Sequence, residues 1–247
     1  MAKKSEALAA LKERLRFFDE IGADFVFKAG PAKPRSDGRP ATPVKSSPPV
    51  IAGNAPTKTP AGRGLEEIAA EIRACKKCGL AAGRTQAVPG EGNPLSPLLF
   101  VGEGPGHEED VQGRPFVGRA GQLLTKIIAA MGHDRSEVFI ANIVKCRPPE
   151  NRVPHRDEAE ACAPFLFEQI AVLKPRVIVT LGKTAADFFL PNVKAMSSIR
   201  GLFQEWRGLP IMPTFHPSYL IRNEGNKEIR KMVWDDMRKV MAFLAGD

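Results

Sequence analysis

The sequence predicts an α/β domain of three layers, with a central parallel sheet of four strands held between two layers of helices. Four short apolar runs, at residues 98–101, 138–144, 177–181 and 211–215, have the length and punctuation of buried strands. Around them, apolar residues spaced three and four apart read as helices at 65–75, 121–131, 156–173, 184–189 and 228–244. Strands that alternate with helices imply parallel pairing, right-handed crossovers and helices on both faces. Polar residues follow every strand, on the rim where open sheets of this class bind ligands.

Taken in order, the chain begins with a helical pattern over residues 5–21, where Leu8, Leu11, Leu15, Phe18 and Ile21 make one apolar face. An amphipathic helical region is therefore expected at 1–28, with no partner for it identified. Residues 29–62 hold eight prolines and almost no large apolar side chain, so this stretch is expected to be a flexible linker. The compact pattern runs over 63–247, and 43% hydrophobic residues supply it with a core. The net charge is +8, of which residues 1–62, with 11 Lys or Arg against 6 Asp or Glu, carry +5. A basic tail suits loose attraction to nucleic acid. No apolar run is long enough to span a bilayer and charges interrupt the N-terminus, so a cytoplasmic location is expected.

The first strand runs into LLFVGEGPGHEEDVQGRPFVGRAGQLL, residues 98–124. Gly102, Gly104 and Gly106 allow a sharp turn and close approach to a ligand, Glu103, Glu109 and Asp110 supply carboxylates, and Phe116 sits among glycines as a stacking surface. The second strand delivers Asn142, Lys145, Cys146 and Arg147, the third Gly182-Lys183-Thr184, and the fourth His216-Pro217-Ser218. Gly182-Lys183-Thr184 is no phosphate loop, because the glycine required five residues earlier is Val177. Thr184 is left as a helix cap and Lys183 as a phosphate contact.

Cys75, Cys78, Cys146 and Cys162 are spaced C-x2-C-x67-C-x15-C. The first pair can present two thiolates from one turn, and four thiolates suit either structural zinc or an iron-sulfur cluster. Spacing alone leans towards zinc. Lys76, Lys77, Lys145 and Arg147 stand beside the sulfurs in sequence and would offset the charge of such a centre.

Four motifs in this order, GEGPG at 102–106, GRPFVGRAG at 113–121, NIVKCRPP at 142–149 and FHPSYLIR at 215–222, resemble the iron-sulfur (family 4) uracil-DNA glycosylases. The resemblance covers about 65–244 and is silent on the first 62 residues. It implies a uracil-DNA glycosylase-like fold, hydrolysis of the N-glycosidic bond of uracil in single- or double-stranded DNA, and a [4Fe-4S] cluster on the four cysteines in place of zinc. It also implies a monomer. In that frame Phe116 stacks on the flipped base, Asn142 reads its edge, and Gly102 and Gly104 line the pocket. His216 stabilises the leaving uracil and Glu103 activates water, with Glu109 the alternative; Gly104 stands where other uracil glycosylases carry aspartate. Arg119, Lys183 and Arg222 would meet phosphates, and Leu220, with Ile221, would wedge into the duplex. Two rivals stay open: a relative that traps uracil-DNA covalently, with His155 the available histidine, and a non-catalytic metal-bearing nucleic-acid-binding protein.

Overall fold

The computed structural model describes residues 63–190 and 192–246; the helical and linker expectations for 1–62 lie outside them. The described chain runs α1 (Leu65–Ala74), α2 (Leu80–Gly83), β1 (Glu91–Gly92), β2 (Leu98–Gly102), α3 (His107–Gln112), α4 (Arg119–Ala130), β3 (Phe139–Asn142), α5 (Arg156–Leu173) and β4 (Val177–Leu181). It continues with α6 (Lys183–Phe189), α7 (Met196–Ile199), β5 (Gln204–Trp206), β6 (Leu209–Thr214), α8 (Pro217–Arg222) and α9 (Lys227–Ala245).

The sheet order is β1-β3-β2-β4-β6-β5. The four inner strands are parallel, as the apolar runs predict, with Leu99 opposite Phe139 and Ile178, and Val179 opposite Met212. Two short antiparallel strands, β1 and β5, close the edges and extend the expected four strands to six. At two and three residues they are too short for alternation to show in sequence.

Alternation along the inner strands feeds two cores. Leu98, Phe100, Ile140, Val179 and Met212 face α4 and α9, where Leu124, Ile128, Trp234 and Met237 cover them. Leu99, Val101, Ala141, Ile178 and Ile211 face the other way, onto Ile68 and Ile72 of α1 and Phe165 and Leu166 of α5. Because both faces are covered, β2 and β4 are buried at every residue, which is why their sequences read as unbroken apolar runs.

From β2 the chain crosses to β3 on one side, while from β4 it crosses to β6 on the other. The carboxyl ends of β2 and β4 therefore flank the switch point at which such sheets open a crevice. The exits of β4 and β6 are tied together: Gly182 donates its N–H to the Thr214 carbonyl at 2.9 Å. The Thr214 hydroxyl in turn donates to Asp236 of α9 at 2.7 Å, and Arg200 donates to the same carboxylate from Nε at 3.1 Å. Asp236 is fully buried, and burial raises its pKa against the opposing pull of Arg200 and Thr214.

Asp236→Ala leaves the mostly buried Arg200 and the Thr214 hydroxyl without their shared acceptor. A loss of about 3 kcal/mol is expected, breaking a buried pair being strongly destabilising, which thermal melting would register as a fall of roughly 6–12 °C.

Candidate active site

The crevice is a cleft of about 780 Å³ whose walls include Glu103, Phe116, Asn142, Lys183, His216 and Arg222. The ends of all four parallel strands thus converge on one space. That volume is in the range that takes a small organic ligand.

The floor is organised by the missing side chain at Gly102, the last residue of β2. A Cβ there would lie 2.5 Å from Asn142 Oδ1 and 2.5 Å from Phe116 Cζ, well inside contact distance. Glycine is what lets the amide and the ring pack against one another over the strand end. Asn142, paired beside Gly102 as the last residue of β3, is 1% exposed, and neither its Nδ2 nor its Oδ1 has a hydrogen-bond partner. Leaving a buried donor or acceptor unmet costs about 1–3 kcal/mol each, so an amide with both ends unmet in a cleft is built for a ligand edge.

Phe116 is 7% exposed and holds a left-handed backbone, φ 49°, which is strained for an aromatic residue. Arg135 fixes it. Its guanidinium donates to the Phe116 carbonyl at 3.0 Å and to the Pro115 carbonyl, while Glu91 holds it from behind at 3.1 Å. The Phe116 ring lies 5.8 Å from the His216 ring, tilted by 34°, so the two flank the same space.

His216 caps α8. Its Nδ1 accepts the Ser218 N–H at 3.1 Å and lies 2.7 Å from Ser218 Oγ. An Nδ1 that accepts from a backbone N–H carries no proton, so the neutral ring keeps its hydrogen on Nε2. Burial, with help from Arg222, lowers its pKa to about 4, so the ring is uncharged near neutral pH.

The two glutamates differ. Glu109 is spent on the backbone: Oε1 accepts from Val117 at 2.8 Å and Gly118 at 2.9 Å, and Oε2 from Gly106 at 3.1 Å. It knits the glycine loop to the Phe116 segment, and Asp110 similarly accepts the Thr85 N–H at 2.9 Å. Glu103 is half-buried on the cleft wall and its carboxylate has no partner among the described residues. At Gly104 a Cβ would come within 2.7 Å of a Val144 methyl, so a side chain there needs the wall to move. Glu103 precedes that position in sequence and lines the same cleft.

Arg119, Lys183 and Arg222 stand exposed on the cleft rim, with Lys183 paired to Asp187 and Arg222 donating to Ser218 Oγ at 3.4 Å. Leu220 departs from its expected role as a wedge. The HPSYLIR segment folds as α8, which turns Leu220 into the core at 3% exposure and leaves the half-buried Ile221 on the cleft. His155 is exposed at the start of α5 and is not among the residues lining the cleft.

The four cysteines line one small cavity between α1 and α5. Three sulfurs already receive N–H donors: Cys75 from Lys77 N at 3.5 Å, Cys162 from Lys145 N at 3.3 Å, and Cys146 from Arg84 Nη1 at 3.0 Å. Donors of this kind stabilise thiolates, so the set fits a sulfur-ligated centre. Among the described residues no three His, Cys, Asp or Glu side chains close on a single metal ion.

The cations beside the cysteines meet the sequence expectation in part: the Lys145 charge opposes the burial that raises the Cys162 thiol's pKa, Lys77 lines the cavity, and Arg147 does not. Lys145, 1% exposed, directs its ammonium to the Asn142 carbonyl at 2.8 Å and to Gln169 Oε1 at 2.7 Å. Arg147 turns to His107 and Asn151, and Lys77 pairs with Glu71 at 3.1 Å. Arg84, remote in sequence from Cys146, is the arginine on sulfur. No local spacing marks Arg84 or Arg135, because each acts across a long stretch of chain.

The family model for the uracil DNA glycosylase superfamily matches residues 89–238. The chain is 47% identical over 182 residues to a type-4 uracil-DNA glycosylase of Thermotoga maritima, an alignment covering 73% of this chain and 94% of that protein. This chain belongs to the type-4 uracil-DNA glycosylases. Type-4 proteins of Sulfurisphaera tokodaii, 43% identical, and Saccharolobus solfataricus, 42% identical, match 71% and 74% of this chain and 83% and 87% of their own lengths. The four motifs that carry the resemblance, at 102–106, 113–121, 142–149 and 215–222, lie within the residues that the family model matches, and no helix of the described residues is long and apolar enough to cross a membrane.

Because its pKa lies near 4, His216 should show no titration between pH 5 and 9 and should carry its proton on Nε2 throughout. Nitrogen-15 NMR of labelled histidine reads both properties, and a midpoint near the ordinary value of about 6.5 would contradict the assignment. Protein stability should fall as pH drops from that ordinary value through about 4, where the unfolded chain takes up a proton the folded ring resists.

Proposed function

We propose that this protein removes uracil from DNA by hydrolysing its N-glycosidic bond, releasing free uracil and leaving an abasic site. The observation that carries the reading is the unmet amide of Asn142 beside the Phe116 ring. Uracil offers an acceptor at O4 and a donor at N3, the complement of an amide N–H and C=O. Cytosine reverses that order, so an ill-matched base leaves the buried amide unsatisfied, and polar mismatches of this kind discriminate strongly.

The target base leaves the stack and enters the cleft, where Phe116 supplies a face for stacking. As the C1′–N1 bond breaks, its electron pair passes to the uracil ring and positive charge grows on the sugar. Neutral His216, donating from Nε2 towards O2, stabilises the developing anion without first having to lose a proton. Glu103 accepts a proton from the water that attacks C1′, while its charge steadies the sugar cation. Glu109 acts through structure, with Gly102 and Gly104 keeping the space open. Arg119, Lys183 and Arg222 hold the phosphates of single- or double-stranded DNA, neutralising backbone charge at the rim.

Cys75, Cys78, Cys146 and Cys162 would hold a [4Fe-4S] cluster, four thiolates around one cavity being a donor set suited to it. When bound, such a group supplies a rigid, sulfur-anchored crosslink between the α1 region, the strand that carries Asn142, and α5. Hydrolysis of a glycosidic bond has no redox step. The protein acts as a monomer in the cytoplasm, where thiols stay reduced.

Incubation with a uracil-containing oligonucleotide should yield free uracil and an alkali-labile site. Glu103→Gln should lower kcat by about 10²- to 10⁴-fold, the usual share of a general base, with a much smaller change in KM. Release of uracil by neither single nor double strand, or an undiminished kcat in the variant, would refute the corresponding part of the scheme.

A further inference from the structure

With Leu220 turned into the core and Ile221 half-buried on the cleft wall, a more exposed group is better placed to occupy the gap that an extruded base leaves in a duplex. Such groups are apolar, exposed and rigidly held at the edge of the binding cleft. Among the described residues six large hydrophobic side chains are exposed, and Val153 alone of these lines the cleft, at 59% exposure. A single exposed apolar residue is ordinary on a protein surface. What sets Val153 apart is the effort spent on holding it still.

Val153 is carried by the segment that leaves Cys146 and enters α5. Pro148 and Pro149 precede it and Pro154 follows. Glu150 and Asn151 are both left-handed, at φ 54° and 55°, a conformation that asparagine tolerates and that is uncommon for glutamate. Asn151 N donates to the Pro148 carbonyl at 3.1 Å, and Asn151 Oδ1 accepts from Arg147 at 2.9 Å. Arg152 forks onto Glu158 at 2.8 and 2.7 Å, and its Nη1 also donates to the Val153 carbonyl at 3.1 Å. Glu158 is itself anchored by the His155 N–H at 2.7 Å, and Arg152 holds its carboxyl low, at about pKa 2. The brace therefore persists through the neutral range.

We propose that Val153 is the duplex wedge of this protein, inserting beside the extruded nucleotide while Arg152 and Glu158 keep its loop from yielding. The assignment rests on the reading of the cleft as a uracil-DNA site and adds to it the side chain that fills the vacated stack. A rigid wedge pays little ordering entropy on insertion, which makes it effective despite its small size. It matters most where a base has a stack and a partner to leave, and least on single strands.

The test compares kcat/KM for uracil in a duplex and in the same sequence single-stranded, using the full protein. Val153→Ala should lower the duplex-to-single-strand ratio roughly tenfold, the scale of burying a few methyl groups, and Val153→Leu should keep it. Leu202→Ala, which removes an exposed apolar side chain outside the cleft, is the control and should leave the ratio unchanged. Fluorescence of 2-aminopurine placed beside the uracil should show a shorter-lived unstacked state with Val153→Ala. An unchanged ratio in Val153→Ala, or an equal fall in the control, would overturn the wedge while uracil release itself stands. No release from either substrate by the unaltered protein would overturn the glycosylase reading and the wedge with it.

Discussion

The arrangement depends on a void one methyl group wide. Gly102 ends the central strand with no side chain, and into that space come the Asn142 amide from the neighbouring strand and the Phe116 ring from the following loop. Three side chains hold those two groups where they are. Arg135 holds the strained backbone of Phe116 from its carbonyl side, Glu109 takes the N–H groups of Val117 and Gly118, and Lys145 takes the carbonyl of Asn142. The cost of an unmet amide and a left-handed aromatic is stored in the folded state. A ligand that satisfies the amide recovers part of it.

Lys145 connects this floor to the cysteines. Its backbone N–H donates to Cys162 Sγ, its side chain reaches the Asn142 carbonyl and Gln169, and Gln169 in turn donates to the Pro89 carbonyl at 2.7 Å. Burial lowers the Lys145 pKa to about 8 against the pull of Cys162, and the Asn142 carbonyl and Gln169 oxygen hold the ammonium in place. A sulfur-anchored centre and the base pocket therefore share one short segment of backbone, 142–146. On the proposed reading, that would give a group without a redox task a physical reason to be near the chemistry: it would fix the strand end that carries Asn142.

Much of this was legible in the sequence. The inner strands, the four long helices and α6 showed themselves through apolar period, because both faces of the sheet are covered and each of these helices has one buried side. Asn142, Phe116 and His216 could be placed on one rim because Asn142 ends a strand, His216 follows one, and Phe116 sits in the glycine-rich stretch into which another runs. The edge strands escaped notice through shortness, and α3 because its acidic first turn, Glu108 to Asp110, reads equally well as a polar loop. Leu220 reads as a wedge because Pro217 can mark a helix start but not which side of that helix meets the core, and the helix turns Leu220 inward. Arg84 and Arg135 are ordinary arginines until the fold brings one to Cys146 and the other to Phe116. Contacts made across the fold leave no local pattern to read.

The central claim is that the buried Asn142 amide is held unsatisfied in order to read the edge of uracil. The most direct measurement follows the side-chain NH2 resonances of Asn142 by NMR while free uracil, and separately cytosine, is added. The account predicts that uracil shifts these resonances downfield, as a new hydrogen bond forms, and that cytosine at the same concentration leaves them in place. Equal responses to both bases, or none to uracil under conditions where it binds the cleft, would contradict it.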